Sequence, residues 1–175
     1  MQSHKAVFLD RDGTIGGGKT VQYPGEFILF PYTLKCIHFL KQAGFFVFTF
    51  TNQPGIERGE AQLGMFEKEL ASFGFDALYI CPHKPETGCT CRKPGTGLLE
   101  QAAKDYQLNW DECFVIGDRW SDMVAGNRMG CHCILVRTGA GMEALREYRH
   151  KWMEIEPDYI ANNLEDAVQW ILEQD

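Results

Sequence analysis

A chain of 175 residues, 45% hydrophobic and 13% aromatic, is long enough for one compact domain with a real core, and its composition excludes a disordered or low-complexity protein. The formal net charge of -7 argues against a nucleic-acid binder, which carries a basic face, but leaves room for an anionic substrate met by a local cluster of cations. Met1 to Asp10 lacks the apolar region of a secretion signal and no stretch is long enough to cross a bilayer, so the expectation is a cytoplasmic monomer without membrane contact.

In chain order, Lys5 to Leu9 reads as a short strand that ends in Asp10-Arg11-Asp12-Gly13, and Gly16-Gly17-Gly18 as a mobile turn beyond it. Tyr32 to Ala43 has a helical apolar period through Leu34, Ile37 and Leu40, stopped by Gly44. Phe45 to Phe50 is apolar apart from Thr49, as a strand buried on both faces would be. Glu60 to Phe73 reads as a helix closed by Gly74, and Ala77 to Cys81 as a third strand. Gly97 to Tyr106 is a helix, Cys113 to Gly117 a strand, Ser121 to Met129 a helix and Cys131 to Val136 a fifth strand. Tyr159 to Ala161 is a short edge strand, and Asn163 caps a last helix over Leu164 to Leu172, with Asp166 placed to reach back. Glu143 to Glu156 is charged and aromatic and has no assigned role. Strands alternating with helices predict an α/β fold: an open, mostly parallel sheet covered by helices on both faces, in a single domain over 1–175.

Chemistry-bearing residues collect just beyond the buried runs. Asp10 and Asp12 follow the first strand, Thr51 and Asn52 the second, Cys81 and His83 the third, Asp118 the fourth. Ligands of an open parallel sheet bind outside the carboxyl ends of its strands. Polar loops account for any one of these positions and poorly for the set. Asp10 and Asp12 are close enough to repel, which calls for a cation or a shared proton. Hard carboxylate oxygens beside a phosphate suit Mg²⁺, with Asp118 a further oxygen. One carboxylate can attack phosphorus while the other, held neutral, protonates the leaving oxygen. Asp122, one helical turn beyond Asp118, could hold a metal-bound water or the Arg119 and Lys93 side chains. Arg92 and Lys93 bring positive charge toward a phosphoryl group.

These segments resemble the motifs of the haloacid dehalogenase superfamily of phosphatases: Asp10-Arg11-Asp12-Gly13-Thr14, Thr51-Asn52-Gln53, Arg92-Lys93-Pro94, and Gly117-Asp118-Arg119 with Asp122. The resemblance spans residues 5 to about 137. It implies Asp10 as nucleophile of a phosphoaspartyl mechanism, Asp12 as general acid/base, and Thr51 and Lys93 on the phosphoryl group. It also implies Asp10, the Asp12 carbonyl and Asp118 on Mg²⁺. The family's cap domains follow the first or second strand; here those connections are short, so the chain resembles capless members. Asn52, Arg92, Arg119 and Lys19 are the candidates for holding substrate, with Lys19 weighed evenly against an ordinary solvated loop lysine.

Clustered cysteines in a reducing compartment read as metal ligands before disulfides. Cys81, His83, Cys89 and Cys91 make a closed tetrahedral set for structural Zn²⁺, in a loop with no apolar residues to fold it otherwise. The loop runs into Arg92-Lys93, as in the heptose-bisphosphate and histidinol-phosphate phosphatases of the superfamily. Cys131-His132-Cys133 reads instead as the start of a core strand with His132 turned outward, and Cys36 and Cys113 as core thiols. His38 reads as a packed or solvent-edge histidine.

The expected activity is hydrolysis of a small phosphorylated metabolite. Gly55-Ile56-Glu57-Arg58-Gly59 resembles the heptose-bisphosphate branch and favours a sugar bisphosphate. The five-residue spacer between His83 and Cys89 is closer to the histidinol-phosphate branch, which is the alternative. Readings from other classes are a polynucleotide end phosphatase, opposed by the acidic charge, and a zinc-stabilised binding module without turnover, opposed by the Asp10/Asp12 pair.

Overall fold

Alternating strand and helix patterns resolve, in a computed structural model describing residues 3–174, into one sheet of six parallel strands. The strands are β1 (Ala6–Leu9), β2 (Phe46–Asn52), β3 (Ala77–Cys81), β4 (Phe114–Gly117), β5 (His132–Val136) and β6 (Tyr159–Ala161). Their spatial order is β3-β2-β1-β4-β5-β6, every neighbouring pair parallel. The helices are α1 (Thr33–Gln42), α2 (Leu63–Ala71), α3 (Gly97–Tyr106), α4 (Trp120–Met129), α5 (Gly141–Leu145) and α6 (Leu164–Gln174). Among the described residues the connections after β1 and β2 form no cap domain, and no helix is long and apolar enough to cross a membrane.

The strand period of two divides the core into two layers. Val7, Leu9, Val47, Ile116 and Ile134 pack on one face, against Ile37 and Leu40 of α1, Phe66 and Leu70 of α2, and Val168 and Ile171 of α6. Ala6, Phe8, Phe48, Phe50, Val115 and Leu135 pack on the other, against Leu98 and Leu99 of α3 and Met123 of α4. Both faces of the inner strands are therefore covered, which is why they read as continuous apolar runs.

Several local expectations shift. In α1 the buried stripe is Thr33, Cys36, Ile37 and Leu40, whereas Leu34 is 54% exposed. Thr33 takes the inner position because its hydroxyl donates to the carbonyl of Ile15 at 2.7 Å. The helix expected from Glu60 starts at Leu63, because residues 53–61 are spent on turns closed by Ile56 N–H to Gln53 O and Glu60 N–H to Gly55 O. Gly16 is a packed point and not part of a free turn: it bridges to Asp12 and Leu29, and a Cβ there would lie 2.4 Å from the carbonyl oxygen of Ile28. At the last helix the Asn163 side chain accepts from Asp166 N–H at 2.9 Å, and Asp166 reaches back to the N–H of Asn162 at 2.7 Å. His132 is half-buried and contacts Asp158 at 3.0 Å, while Cys131 and Cys133 are buried. The 143–156 segment folds onto the second core layer, anchored by buried Trp152, whose indole N–H donates to Ala144 O at 2.9 Å.

Phe48 has no solvent exposure and touches the rings of Phe8, Tyr79 and Tyr106. Phe48→Ala is expected to cost about 3–5 kcal/mol, the usual range for emptying a buried aromatic site. Leu34→Ala should stay within about 0.5 kcal/mol of the parent protein. Denaturant unfolding of both variants checks the layer assignment, and comparable losses would contradict it.

Candidate active site

The strand order reverses on the two sides of β1, so the connections leaving β1 and β4 diverge and open a crevice beyond their carboxyl ends. Asp10 leaves β1 and Asp118 leaves β4 at that point, while Thr51 and Asn52 are the last two residues of β2. The crevice is a hollow of about 420 Å³ lined by Asp10, Asp12, Thr51, Asn52, Arg92, Lys93 and Arg119, with Val21, Pro54, Trp120 and Ser121 among its walls.

Asp10, one of the residues lining the hollow, belongs to a buried carboxylate cluster. Asp10, Asp118 and Asp122 are all buried and bring oxygens within 4.8 Å of one another. The Lys93 ammonium lies 3.0 Å from Asp10 Oδ1 and 2.6 Å from Asp122 Oδ1, and also donates to Phe50 O at 2.8 Å. Burial alone would lower the Lys93 pKa, but the charges of Asp10 and Asp122 outweigh it and the net direction is up. Burial, reinforced by the negative charge of Asp10, pushes Asp122 up to about 6. Asp118 goes well above the ordinary carboxylate range, first through burial and then through Asp10 and Asp122. Asp122 takes the Lys93 side chain and the backbone N–H of Arg119 (3.0 Å) as its partners; the Arg119 guanidinium turns instead to the carbonyl of Lys19.

Asp118 is held by glycines. Its Oδ2 accepts the N–H of Ala140 at 2.7 Å. Gly13 (φ +86°) and Gly139 (φ +56°) pack against that oxygen, and a Cβ on either would approach it to 2.1 and 2.3 Å. Only glycine meets both the backbone angle and the space. Asp118 Oδ1 points into the cluster, buried and without a hydrogen-bond partner among the described residues. A buried carboxylate oxygen left bare is costly unless a cation meets it, so the three-carboxylate set fits a hard divalent ion.

Asp12 lies apart from this cluster. Its Oδ1 accepts from Arg11 at 2.8 Å and from Gln22 N–H at 3.0 Å, and its Oδ2 from Gln53 Nε2 at 2.9 Å. Burial raises its pKa, against the lowering charge of Arg11. Gln53 Nε2 also lies 3.0 Å from the Thr51 hydroxyl, which joins the two motifs through one amide. Asn52 clamps Lys93 through its backbone, accepting its N–H at 3.0 Å and donating to its carbonyl at 3.2 Å.

Cys81, His83, Cys89 and Cys91 form a second cluster that could hold a metal ion. Cys81 Sγ lies 3.5 Å from His83 Nδ1, 3.7 Å from Cys89 Sγ and 3.2 Å from Cys91 Sγ, and His83 Nδ1 lies 3.2 Å from Cys91 Sγ. A tetrahedral ion with Zn–S near 2.3 Å would set its ligand atoms about 3.8 Å apart, close to this spread. Burial opposes ionisation of Cys89, but hydrogen bonds from Arg92 N–H and the neighbouring thiols outweigh it and bring the thiol down to about 7. Arg92 also donates to His83 O at 3.4 Å, so the cluster and the basic residue lining the hollow are one unit.

Of the four residues expected to hold substrate, Asn52, Arg92 and Arg119 line the hollow and Lys19 does not. The Lys19 side chain is 60% exposed and pairs with Glu143, which supplies the nearer opposite charge. The motifs did not single out Gln53, Arg11, Ala140 and Gly139, which orient the two aspartates; only Gln53 and Arg11, by lying inside the motifs, left a signal that could have been followed.

Comparison with known proteins identifies the family. The HAD-hydrolase-like family matches residues 90–167. The D-glycero-beta-D-manno-heptose-1,7-bisphosphate 7-phosphatase of Helicobacter pylori is 40% identical over 138 residues, covering 72% of this chain and 79% of that protein. The D-glycero-alpha-D-manno-heptose-1,7-bisphosphate 7-phosphatase of Photorhabdus laumondii is 40% identical over 155 residues, covering 77% and 84%. The crystal structure of D,D-heptose 1,7-bisphosphate phosphatase from B. bronchiseptica, complexed with magnesium and phosphate, superposes with a TM-score of 0.84 at 30% identity, covering 98% of this chain and 99% of that one. The chain belongs to the HAD-like phosphatases, in the family that contains the heptose-1,7-bisphosphate 7-phosphatases.

Proposed function

We propose that the chain hydrolyses one phosphate ester of a heptose 1,7-bisphosphate, at the 7-position, through a phosphoaspartyl intermediate on Asp10. The observation that carries the chemistry is the placing of Asp10 and Asp12 in one hollow with different surroundings, one among carboxylates and Lys93, the other alone with hydrogen-bond donors. The substrate rests on the relatives named above, which weigh for the sugar bisphosphate over histidinol phosphate.

Asp10 bonds to phosphorus as the bond to the sugar oxygen breaks. Lys93 and Thr51 hold the phosphoryl group from the sides, so positioning and charge neutralisation supply most of the catalysis. Asp12, whose pKa burial raises, gives its proton to the leaving oxygen. It then takes a proton from the water that cleaves the acyl phosphate and frees Asp10. Asp10, Asp118 and the Asp12 carbonyl would hold Mg²⁺, with Asp122 beside it; the ion would draw charge from the phosphoryl oxygens. Cys81, His83, Cys89 and Cys91 would hold a structural Zn²⁺ that fixes the segment carrying Arg92 and Lys93. Asn52, Arg92 and Arg119 face the non-reacting parts of the substrate, guanidinium forks being suited to phosphate oxygens.

Asp10→Asn should abolish phosphate release and leave the circular dichroism spectrum unchanged. Turnover near the parental rate would end the phosphoaspartyl reading. Elemental analysis of protein purified without added metal should find about one zinc per chain, retained on dialysis against a weak chelator. A fully active, metal-free protein whose loop thiols all react with a thiol reagent would remove the zinc site. Mg²⁺ titrated into the protein should raise Tm in the parent and much less in Asp118→Asn, because a ligand stabilises the state that binds it. Equal Tm shifts in the two proteins would place the ion elsewhere.

A further inference from the structure

Arg11 is the largest fully buried side chain, although its charge is permanent. Three separate segments accept from its two terminal nitrogens, while its Nε is buried without an acceptor among the described residues. Its Nη1 donates to Asp12 Oδ1 at 2.8 Å and to Gln22 O at 2.7 Å, and its Nη2 donates to Glu69 Oε1 at 2.9 Å. The guanidinium lies over the ring of Phe27 at 3.9 Å and that of Phe66 at 4.9 Å. Phe66 and Glu69 are three residues apart on α2, so one helix face presents both a ring and a carboxylate to Arg11. The second oxygen of Glu69 accepts the N–H of Gly25 at 3.0 Å. Glu69 does not line the hollow, yet both hydrogen bonds of its carboxylate lead there: through Arg11 to Asp12, and through Gly25 to the segment that carries Val21.

We propose that Glu69 is a positioning residue for proton transfer to the leaving group. It fixes the Arg11 fork, and the fork fixes the direction of the Asp12 carboxyl. The proposal rests on the phosphatase reading, with Asp12 as the acid. In the step concerned, the Asp10–phosphorus bond forms, the bond from phosphorus to the leaving oxygen breaks, and the Asp12 proton passes to that oxygen. Arg11 has a flexible stem and a rigid head. Without Glu69, its Nη2 would sit between two phenyl rings with no acceptor, and the head would turn to find one. Asp12 Oδ1 would then lose its charged donor and the carboxyl its fixed angle. A misplacement of about 1 Å by a remote change can cost on the order of a hundredfold in rate.

The test separates orientation of the acid from general support of the fold. Glu69→Ala is assayed on substituted phenyl phosphates of nearly equal size, from phenyl phosphate to p-nitrophenyl phosphate. Strongly stabilised phenolates leave without a proton, whereas poor leaving groups need one. The parameter is kcat/KM, which reports the steps up to release of the phenol. The expected result is a steeper dependence on leaving-group basicity. Phenyl phosphate should lose roughly tenfold more than p-nitrophenyl phosphate, a fraction of the full contribution of a general acid. Glu69→Gln, which keeps one acceptor oxygen, should shift the slope in the same direction by less, and it serves alone where Glu69→Ala does not fold. A parallel loss across the series, or no loss, would overturn the proposal and leave the phosphatase reading standing. A parent protein that hydrolyses none of the series would overturn both.

Discussion

Three carboxylates buried within one ion's reach of each other are the constraint around which the rest of this structure is arranged. Asp10, which lines the hollow, clusters with Asp118 and Asp122, and Lys93 contacts two of the three directly. Fully ionised, the four groups carry a surplus of two negative charges, which a divalent cation would cancel. Without one, burial and mutual repulsion drive Asp118 and Asp122 toward protonation. A cluster like this destabilises the fold that contains it, and so it must be held by stronger features nearby. Those are the strand ends of β1 and β4, which hydrogen bond to one another through Asp10 N–H and Ile116 O at 3.0 Å, and the glycine cradle about Asp118.

The fold supplies the convergence and little else. A parallel sheet whose order reverses on the two sides of β1 brings the ends of β1, β2 and β4 to one crevice. The strands are short, and their burial on both faces fixes their register, so the residues just past them are placed with little freedom. The loops above are built differently. The segment from Cys81 to Pro94 carries Arg92 and Lys93 but offers almost no apolar surface. Its order comes from the Cys/His cluster, from Thr87 donating to Glu57 at 2.7 Å, and from the clamp of Asn52 on Lys93.

Much of this was legible in the sequence, for a physical reason in each case. The inner strands announced themselves as apolar runs because both their faces are covered, and Asp10 and Asp118 stood out because each follows such a run without an intervening residue. The Cys/His cluster was legible because cysteine and histidine at short spacing have few other uses in a polar loop. What the sequence could not disclose were contacts made across the fold. Glu69 is one acidic residue on an amphipathic helix, and its 58-residue separation from Arg11 leaves no local mark. Gly139 and Ala140 belong to the loop after β5 and bear on Asp118 only because β5 lies beside β4. Leu34 was misplaced because α1 begins its inner stripe on a threonine, whose buried hydroxyl finds a carbonyl partner that the helical period cannot show.

A site with no cap over it must draw its selectivity from how firmly its loops are fixed. Each wall here has a fastening of its own. The segment after β1 is tied to α2 by Arg11 and Glu69, and Gln22 holds it through its carbonyl to Arg11 and through its N–H to Asp12. The segment after β3 is tied by its Cys/His cluster and by Glu57. The segment after β5 reaches the first wall through Glu143 and Lys19, and Lys151 lies over the Trp120 ring at 4.7 Å. These ties differ in kind. The first is a buried charge network, in which losing one partner strands another. The second, on the zinc reading proposed above, would depend on ligand atoms that must be deprotonated to bind metal. The third is an exposed ion pair, which contributes little to stability and is weakened by salt. The first two walls carry Asp12, Arg92 and Lys93, while the third carries no residue of the proposed chemistry. Rigidity is thus concentrated where proton transfer and phosphoryl contact need it.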